Sequence, residues 1–384
     1  MFKPVSIPHW DAIEDNSLFY NYISNKVKVG NVEELRDIYF GGGFISSSNI
    51  RYNNVMGCTP SKEQYLNLLK IQEDFGVEIS LTLNDSNIPP EITLDSKCLE
   101  EFIKYIGKFY ADGVRSCTIS YTHLMRLGIL QDTFPDMRWK NTVNQGVKST
   151  QEVIDYNTLG YNTVLLDRCL NRDLEEINKI YEQQKPSGYL EGVETSLLIS
   201  ENCMPSCTFK AEHDSWNNNV DYNKSGGYSE HMAHHTCINW KQLNIPRFTT
   251  NVELYSVEDY EAYAVDVFKL SGRRAYRTAV PYEGLVIQVA GKNLIIESIK
   301  ELLYNKVPYI SVWLNEGLNN YKDINYPNVY NIQEIKDILI NEPIRPKNYS
   351  KLVKVLQTCK NQCYDCHACE RLYNFPEVNS VLNI

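Results

Sequence analysis

Short apolar runs alternate along this chain with longer stretches in which apolar residues return every three or four positions. The first pattern marks strands buried on both faces, and the second marks the helices that cover them. The strands read this way are Val5 to Pro8, Asp37 to Phe40 running into Gly41-Gly42-Gly43, Val77 to Leu83, Ser116 to Ser120, Met137 to Thr142, Thr163 to Leu166, Ser196 to Ile199 and Val265 to Leu270. Helical spacing runs through Glu63 to Ile71, Leu99 to Phe109, the region around Val153, and Leu174 to Tyr181. Eight strands separated by helices predict an α/β fold, a TIM-like closed parallel (β/α)8 barrel rather than an open doubly wound sheet.

The barrel is expected over residues 1–300, with a C-terminal cysteine-rich extension over 301–384. Between Cys207 and the eighth strand lies a long insertion rich in turn formers, Ser215 to Asn219 and Lys224 to Tyr228, which reads as a lid or lateral loop. Beyond it the strand–helix rhythm fades, and a helical stretch near Ile332 to Leu339 leads to the cysteine-rich tail. No internal repeat is evident. In such barrels the active site lies at the C-terminal ends of the strands. Those ends carry Gly41 to Gly43, Asn84, Tyr121, Asn144, Asp167 with Arg168, Glu201 to Cys207, and Lys269 to Arg273. Glycines let a ligand approach the backbone closely, so Gly41, Gly42 and Gly43, together with Asn84 and Arg168, are the expected cofactor-binding positions.

Composition narrows the function classes. With 384 residues and 43% hydrophobic content the chain can bury a full core. A formal charge of −10 gives no broad electrostatic footprint for nucleic acid. The N-terminal Met1 to Pro8 lacks the apolar run of a signal peptide, and no stretch of about 18 apolar residues predicts a membrane span. A cytoplasmic location is therefore expected, where clustered cysteines serve as metal ligands or redox groups more often than as disulfides.

Seven of the eleven cysteines fall in two places: Cys203, Cys207 and Cys237 after the seventh strand, and Cys359, Cys363, Cys366 and Cys369 near the end. Thiolates are the ligands of iron–sulfur clusters and of structural zinc, and close spacing lets one loop wrap a metal. The Cys203–Cys207 spacing opens like a radical S-adenosylmethionine motif, but Lys210 holds the place of its third cysteine and disfavours that reading. In the tail, Cys363, Cys366 and Cys369 repeat the two-residue gap of ferredoxin loops. One or two clusters, 4Fe–4S in type, are expected, with zinc as the alternative in the tail and His367 as a substitute ligand. The bland reading is that the cysteines are buried small hydrophobes. His213, His231, His234 and His235 form a second concentration able to bind metal or act as acid and base. No Glu follows His231, as a zinc-protease helix would require.

The segment Val267-Phe268-Lys269-Leu270-Ser271-Gly272-Arg273 resembles the lysine-x-x-glycine-arginine signature of the collagenase-like peptidase family, U32. Leu197 to Cys207, Gly160-Tyr161-Asn162 leading into Leu165 to Arg168, and Phe134-Pro135 before the fifth strand are similar to the same family's barrel, over roughly residues 1–300. The resemblance implies a barrel with an oxygen-sensitive four-iron, four-sulfur cluster. Members given functions include oxygen-independent hydroxylases of RNA bases and of quinone precursors, beside others labelled peptidases. The cysteine tail lies outside the shared barrel, and no serine or cysteine nucleophile with its base is recognisable.

Three functions compete. In the first, an iron–sulfur enzyme carries out an oxygen-independent hydroxylation or related redox step on a small molecule or macromolecule, served by an electron donor. Lys269 and Arg273 then hold an anionic co-substrate, or else pair with carboxylates such as Asp167. In the second, a metallopeptidase-like hydrolase uses Glu201 or the histidines, His213 among them, to activate water. In the third, a non-catalytic iron–sulfur protein serves a partner.

Overall fold

The computed structural model describes residues 4–9, 17, 19–21, 23–24, 35–54, 59–199, 207–208, 210–211, 263–270, 279–282, 285–288, 358–359, 362 and 365. Its strands are β1 (Val5–Pro8), β2 (Leu35–Gly41), β3 (Gly43–Ile45), β4 (Arg51–Asn53), β5 (Ile79–Leu83), β6 (Ser116–Ile119), β7 (Arg138–Lys140), β8 (Thr163–Leu166), β9 (Glu194–Ile199), β10 (Val267–Leu270), β11 (Ala279–Tyr282) and β12 (Leu285–Gln288). Its helices are α1 (Lys62–Phe75), α2 (Glu91–Leu94), α3 (Ser96–Ala111), α4 (Thr122–Arg126), α5 (Ile129–Thr133), α6 (Thr150–Thr158) and α7 (Leu174–Gln184).

Eight strands close into a barrel in the order β1-β10-β9-β8-β7-β6-β5-β2, and every pairing around it is parallel. These are the eight strands that the apolar runs predict, and the four long helices fall where the helical spacing puts them. Local chemistry fixes the helix ends. Ser61 with Gln64 and Ser149 with Glu152 form capping boxes that satisfy the first backbone donors of α1 and α6. Gly76 closes α1 with φ 68°, a conformation that favours glycine.

Two hairpins, β3–β4 and β11–β12, lie outside the barrel, and the sequence pattern did not announce them. The first explains the glycine run. Gly41 ends β2 and Gly43 begins β3, so the chain leaves the barrel there and returns through β4. Tyr52 on β4 is fully buried and donates to the Leu83 carbonyl at 3.0 Å. The N–H of Asp85 reaches Asn53 O at 3.0 Å, which ties the hairpin to the top of β5. A Cβ on Gly42 would lie 2.8 Å from both Leu81 Cδ1 and Leu83 Cδ2.

The main apolar core lies between strands and helices. Outward residues Ile38, Phe40, Ile79, Leu81, Cys117, Ile119, Trp139, Val164, Leu166, Leu197 and Phe268 form one cluster with the inner faces of the helices, including Leu68, Ile71, Phe102, Ile106, Val153 and Ile177. Among the described residues no helix is long and apolar enough to cross a membrane. The insertion after residue 211, the predicted helix at 332–339 and most of the extension lie outside the described residues.

Candidate active site at the C-terminal face

Successive strand residues point to opposite faces, so the residues between the outward set line the barrel interior. TIM-barrel interiors are usually packed with branched apolar side chains. Here β8, β9 and β10 supply Leu165, Leu198 and Val267, but the opposite wall is polar: Ser6, Asp37, Ser80, Thr82, Ser116, Thr118 and Lys140, all buried.

An ionic network closes the N-terminal end. Arg36 pairs with Glu194 at 2.6 Å and Glu78 at 2.9 Å, and Arg138 pairs with Glu194 at 2.9 Å and also with Glu78. A bulge makes this possible. Val5 pairs with Leu35 but Ser6 pairs with Asp37, leaving Arg36 as the extra residue, and bulges re-aim side chains. One step further in, the Asp37 carboxylate accepts from Ser6 Oγ at 2.5 Å, Lys140 Nζ at 2.5 Å and Arg138 at 3.1 Å. Burial pushes the Asp37 carboxyl up, but the Lys140 charge and hydrogen bond, the Ser6 hydroxyl and the Lys269 charge outweigh it and hold it below its ordinary value. Glu78 moves the other way, raised by burial and by the nearby Asp37 charge.

At the mouth, Asn141 completes the seam between β7 and β8, which share a single ladder pair, Lys140 with Thr163. Its side chain accepts from Leu165 N and donates to Leu165 O. Asp167 caps the turn Arg168–Arg172 by accepting from Cys169 N at 2.8 Å. Asp85, after β5, is 5% exposed, and burial lifts its carboxyl to about 6 against one opposing hydrogen bond from Asn87 N.

Of the residues singled out by sequence, Lys269 lies inside the barrel, 8% exposed, with its ammonium 4.2 Å from the Tyr39 ring centroid. Its charge helps hold the Asp37 carboxyl below its ordinary value. The N–H groups of Gly42 and Gly43 are engaged internally, with Thr82 O at 2.9 Å and Tyr105 Oη at 2.8 Å. Asn84 follows β5 and Arg168 follows β8; Arg168 is buried and reaches Asn144 Oδ1 at 3.4 Å.

Cys207 is half-buried beyond β9 and carries its thiol outside any disulfide. Thr358 forms an antiparallel bridge with Asp173, which brings half-buried Cys359 to the connection between β8 and α7. The strand before Cys207, β9, is the barrel neighbour of β8, the strand before the connection that Thr358 bridges. Among the described residues no group of three or more His, Cys, Asp and Glu side chains is arranged to hold a metal. Glu201, Cys203, His213, His231, His234, His235, Cys237, Arg273, Cys363, Cys366, His367 and Cys369 lie outside the described residues.

Sequence reasoning missed Asp37, Lys140 and Asp85. The signal was available: Asp37 and Lys140 are charged residues set within runs read as doubly buried strands, where an ion needs a partner inside.

The fold and mouth define a closed (β/α)8 barrel with a polar interior. No protein-family profile matches the chain, and no curated protein matches it. Among solved structures it is similar to the U32 peptidase Mk0906, at 12% identity over 70% of this chain and 92% of that one, with a TM-score of 0.45. It is also similar to an HpcH/HpaI aldolase from Desulfitobacterium hafniense DCB-2, at 10% identity over 56% and 83% of the two chains and a TM-score of 0.31. The carboxyl transferase domain of Rhizobium etli pyruvate carboxylase gives 10% identity over 83% and 48%, with a TM-score of 0.35. At these identities and scores none of them carries an argument about activity, and the barrel rests on its own strand pairing.

Proposed function

We propose that this protein is an iron–sulfur barrel enzyme of the U32-like kind, catalysing an oxygen-independent hydroxylation or related redox modification at the C-terminal face. The observation that carries the reading is that one cysteine-bearing segment follows β9 while another is bridged to the connection after β8, the neighbour of β9 in the barrel. Cys207 follows β9 in the chain, and the Thr358–Asp173 bridge ties Cys359, first of the tail cysteines, to the connection between β8 and α7. Thiol donors suit such a cluster, and the half-burial of Cys207 and Cys359 suits a centre that must meet a substrate. Cys203, Cys207 and Cys237, with Cys359, Cys363, Cys366 and Cys369, would supply the ligands for one centre or two.

When bound, the cluster supplies electron transfer and a site for activating an oxygen donor. The chain's own residues do the rest. Lys269, Arg273 and the buried wall around Lys140 favour an anionic co-substrate at the mouth, while the salt-bridged floor of Arg36, Glu78, Arg138 and Glu194 seals the opposite end. Asp85, titrating near 6, is placed at a strand end where a carboxyl can take or give a proton. Anaerobic purification with iron, sulfide and zinc analysis tests the reading. A brown protein with stoichiometric iron and sulfide is expected; a colourless protein holding only zinc would overturn it in favour of the hydrolase.

A further inference from the structure

The upper half of the polar wall contains two hydroxyls that no protein group satisfies. Thr82 on β5 and Thr118 on β6 are register partners, 0% and 1% exposed, and neither Oγ1 has a hydrogen-bond partner. One layer lower on the same two strands, Ser80 and Ser116 bond each other at 3.0 Å. An unsatisfied buried hydroxyl carries an uncompensated desolvation penalty, and valine would fill the same shape without it. Two such hydroxyls side by side therefore point to a hydrogen-bonding guest.

The neighbours in the row indicate its chemistry. Gly41 pairs with Thr82 and adds no side chain, while Lys140 pairs with Thr118 and adds a buried ammonium. That ammonium has three N–H donors, and its one acceptor among the described residues is Asp37. Asp37 already serves Ser6 and Arg138 as well. Lys140 thus brings charge and N–H donors beyond the one Asp37 takes, and a guest rich in acceptor oxygens can take these together with the two hydroxyl donors.

We propose that the row Gly41–Thr82–Thr118–Lys140 seats the oxyanion end of a small molecule, a carboxylate or a phosphate, with both threonines donating hydrogen bonds and Lys140 supplying charge. The hydroxyls are sealed from solvent here, so the inward side chains above them shift as the guest enters. This deepens the proposed function by giving its anionic co-substrate a seat, and it rests on that reading only for the identity of the reaction.

The test is thermal unfolding of the full chain in rising phosphate, acetate or oxalate, against chloride at equal ionic strength, with iron content measured on the same samples. Wild type should gain melting temperature saturably with phosphate or with one of the carboxylates, which separates the two sources. Thr82→Val/Thr118→Val should weaken that anion at least tenfold, and Thr82→Ser/Thr118→Ser should retain it, at unchanged iron content; the single valine variants serve if the double fails to fold. Equal affinity in the valine variants would overturn the proposal. So would the absence of any saturable effect, whether the valine variants gain stability, as orphaned hydroxyls predict, or lose it, as a buried water predicts. Anion binding by iron-free protein would leave this inference standing while removing the cluster.

Discussion

Asp37→Asn is the substitution that probes the barrel interior most sharply. The Asp37 side chain is 2% exposed and that of Lys140 is 4% exposed, and they meet at 2.5 Å. An asparagine keeps an acceptor for Ser6 or Arg138, and Arg138 retains Glu78 and Glu194. Lys140 retains no carboxylate within hydrogen-bond reach, only the longer-range charge of Glu78. Breaking a buried ion pair from one side costs about 3–5 kcal/mol, because a charge is left uncompensated, while removing both charges is often close to neutral. Asp37→Asn should therefore lose about 4 kcal/mol, a large share of the 5–15 kcal/mol of a typical domain. Asp37→Asn/Lys140→Met should recover most of it. Urea unfolding followed by Trp139, buried next in sequence to Lys140, reads both values. A depressed carboxyl contributes stability that is present above its unfolded value and lost as pH falls through the folded one. The wild type should thus lose this contribution below about pH 3.8, and Asp37→Asn should lack that acid limb. A single variant costing under about 1 kcal/mol, or a double variant no better than the single, would refute the uncompensated-charge reasoning.

Other expectations follow from the same geometry. Gly42→Ala must displace Leu81, Leu83 or Tyr105, whose nearest atoms lie 2.8–3.0 Å from the new Cβ, so it should cost about 1–3 kcal/mol in urea unfolding; an unchanged midpoint would contradict the close approach. Asp85, raised to about 6 from 3.8, binds more protons folded than unfolded between those values, so stability falls as pH rises through that window. Asp85→Asn should reduce that slope, leaving the part contributed by the raised Glu78 carboxyl, and an undiminished slope would place its origin elsewhere. If Asp85 handles a proton, the same variant should also flatten a limb near pH 6 in any activity profile.

The barrel was legible because its strands are buried on both faces, and such runs stand out whatever their partners. The hairpin β3–β4 was not, because a three-residue strand such as Arg51-Tyr52-Asn53 carries too little alternation to register, and its anchor, Tyr52 on the Leu83 carbonyl, is a long-range contact. For Gly41 to Gly43 the sequence suggested ligand approach, and the structure adds a packing role at Gly42 that sequence could not separate from it, since both demands select the same residue. The polar interior was hidden differently. Ser80, Thr82, Ser116 and Thr118 are small enough to pass within strand patterns, and only the closure of the barrel makes them one wall. The cysteine spacing, by contrast, was evident from the sequence, while the tie of the Cys359 segment to the connection after β8 depends on the long-range pairing of Thr358 with Asp173.

The central claim is that thiolates from the barrel and the tail hold an iron–sulfur centre on the C-terminal face. Iron and acid-labile sulfide, quantified on anaerobically purified full-length chain beside Cys207→Ala and Cys359→Ala, test it most directly. A brown wild-type protein is expected, with iron and sulfide reduced in both variants and circular dichroism unchanged, because both cysteines lie outside the strands. Wild-type protein without iron and sulfide, or variants that retain the full content of both, would contradict it.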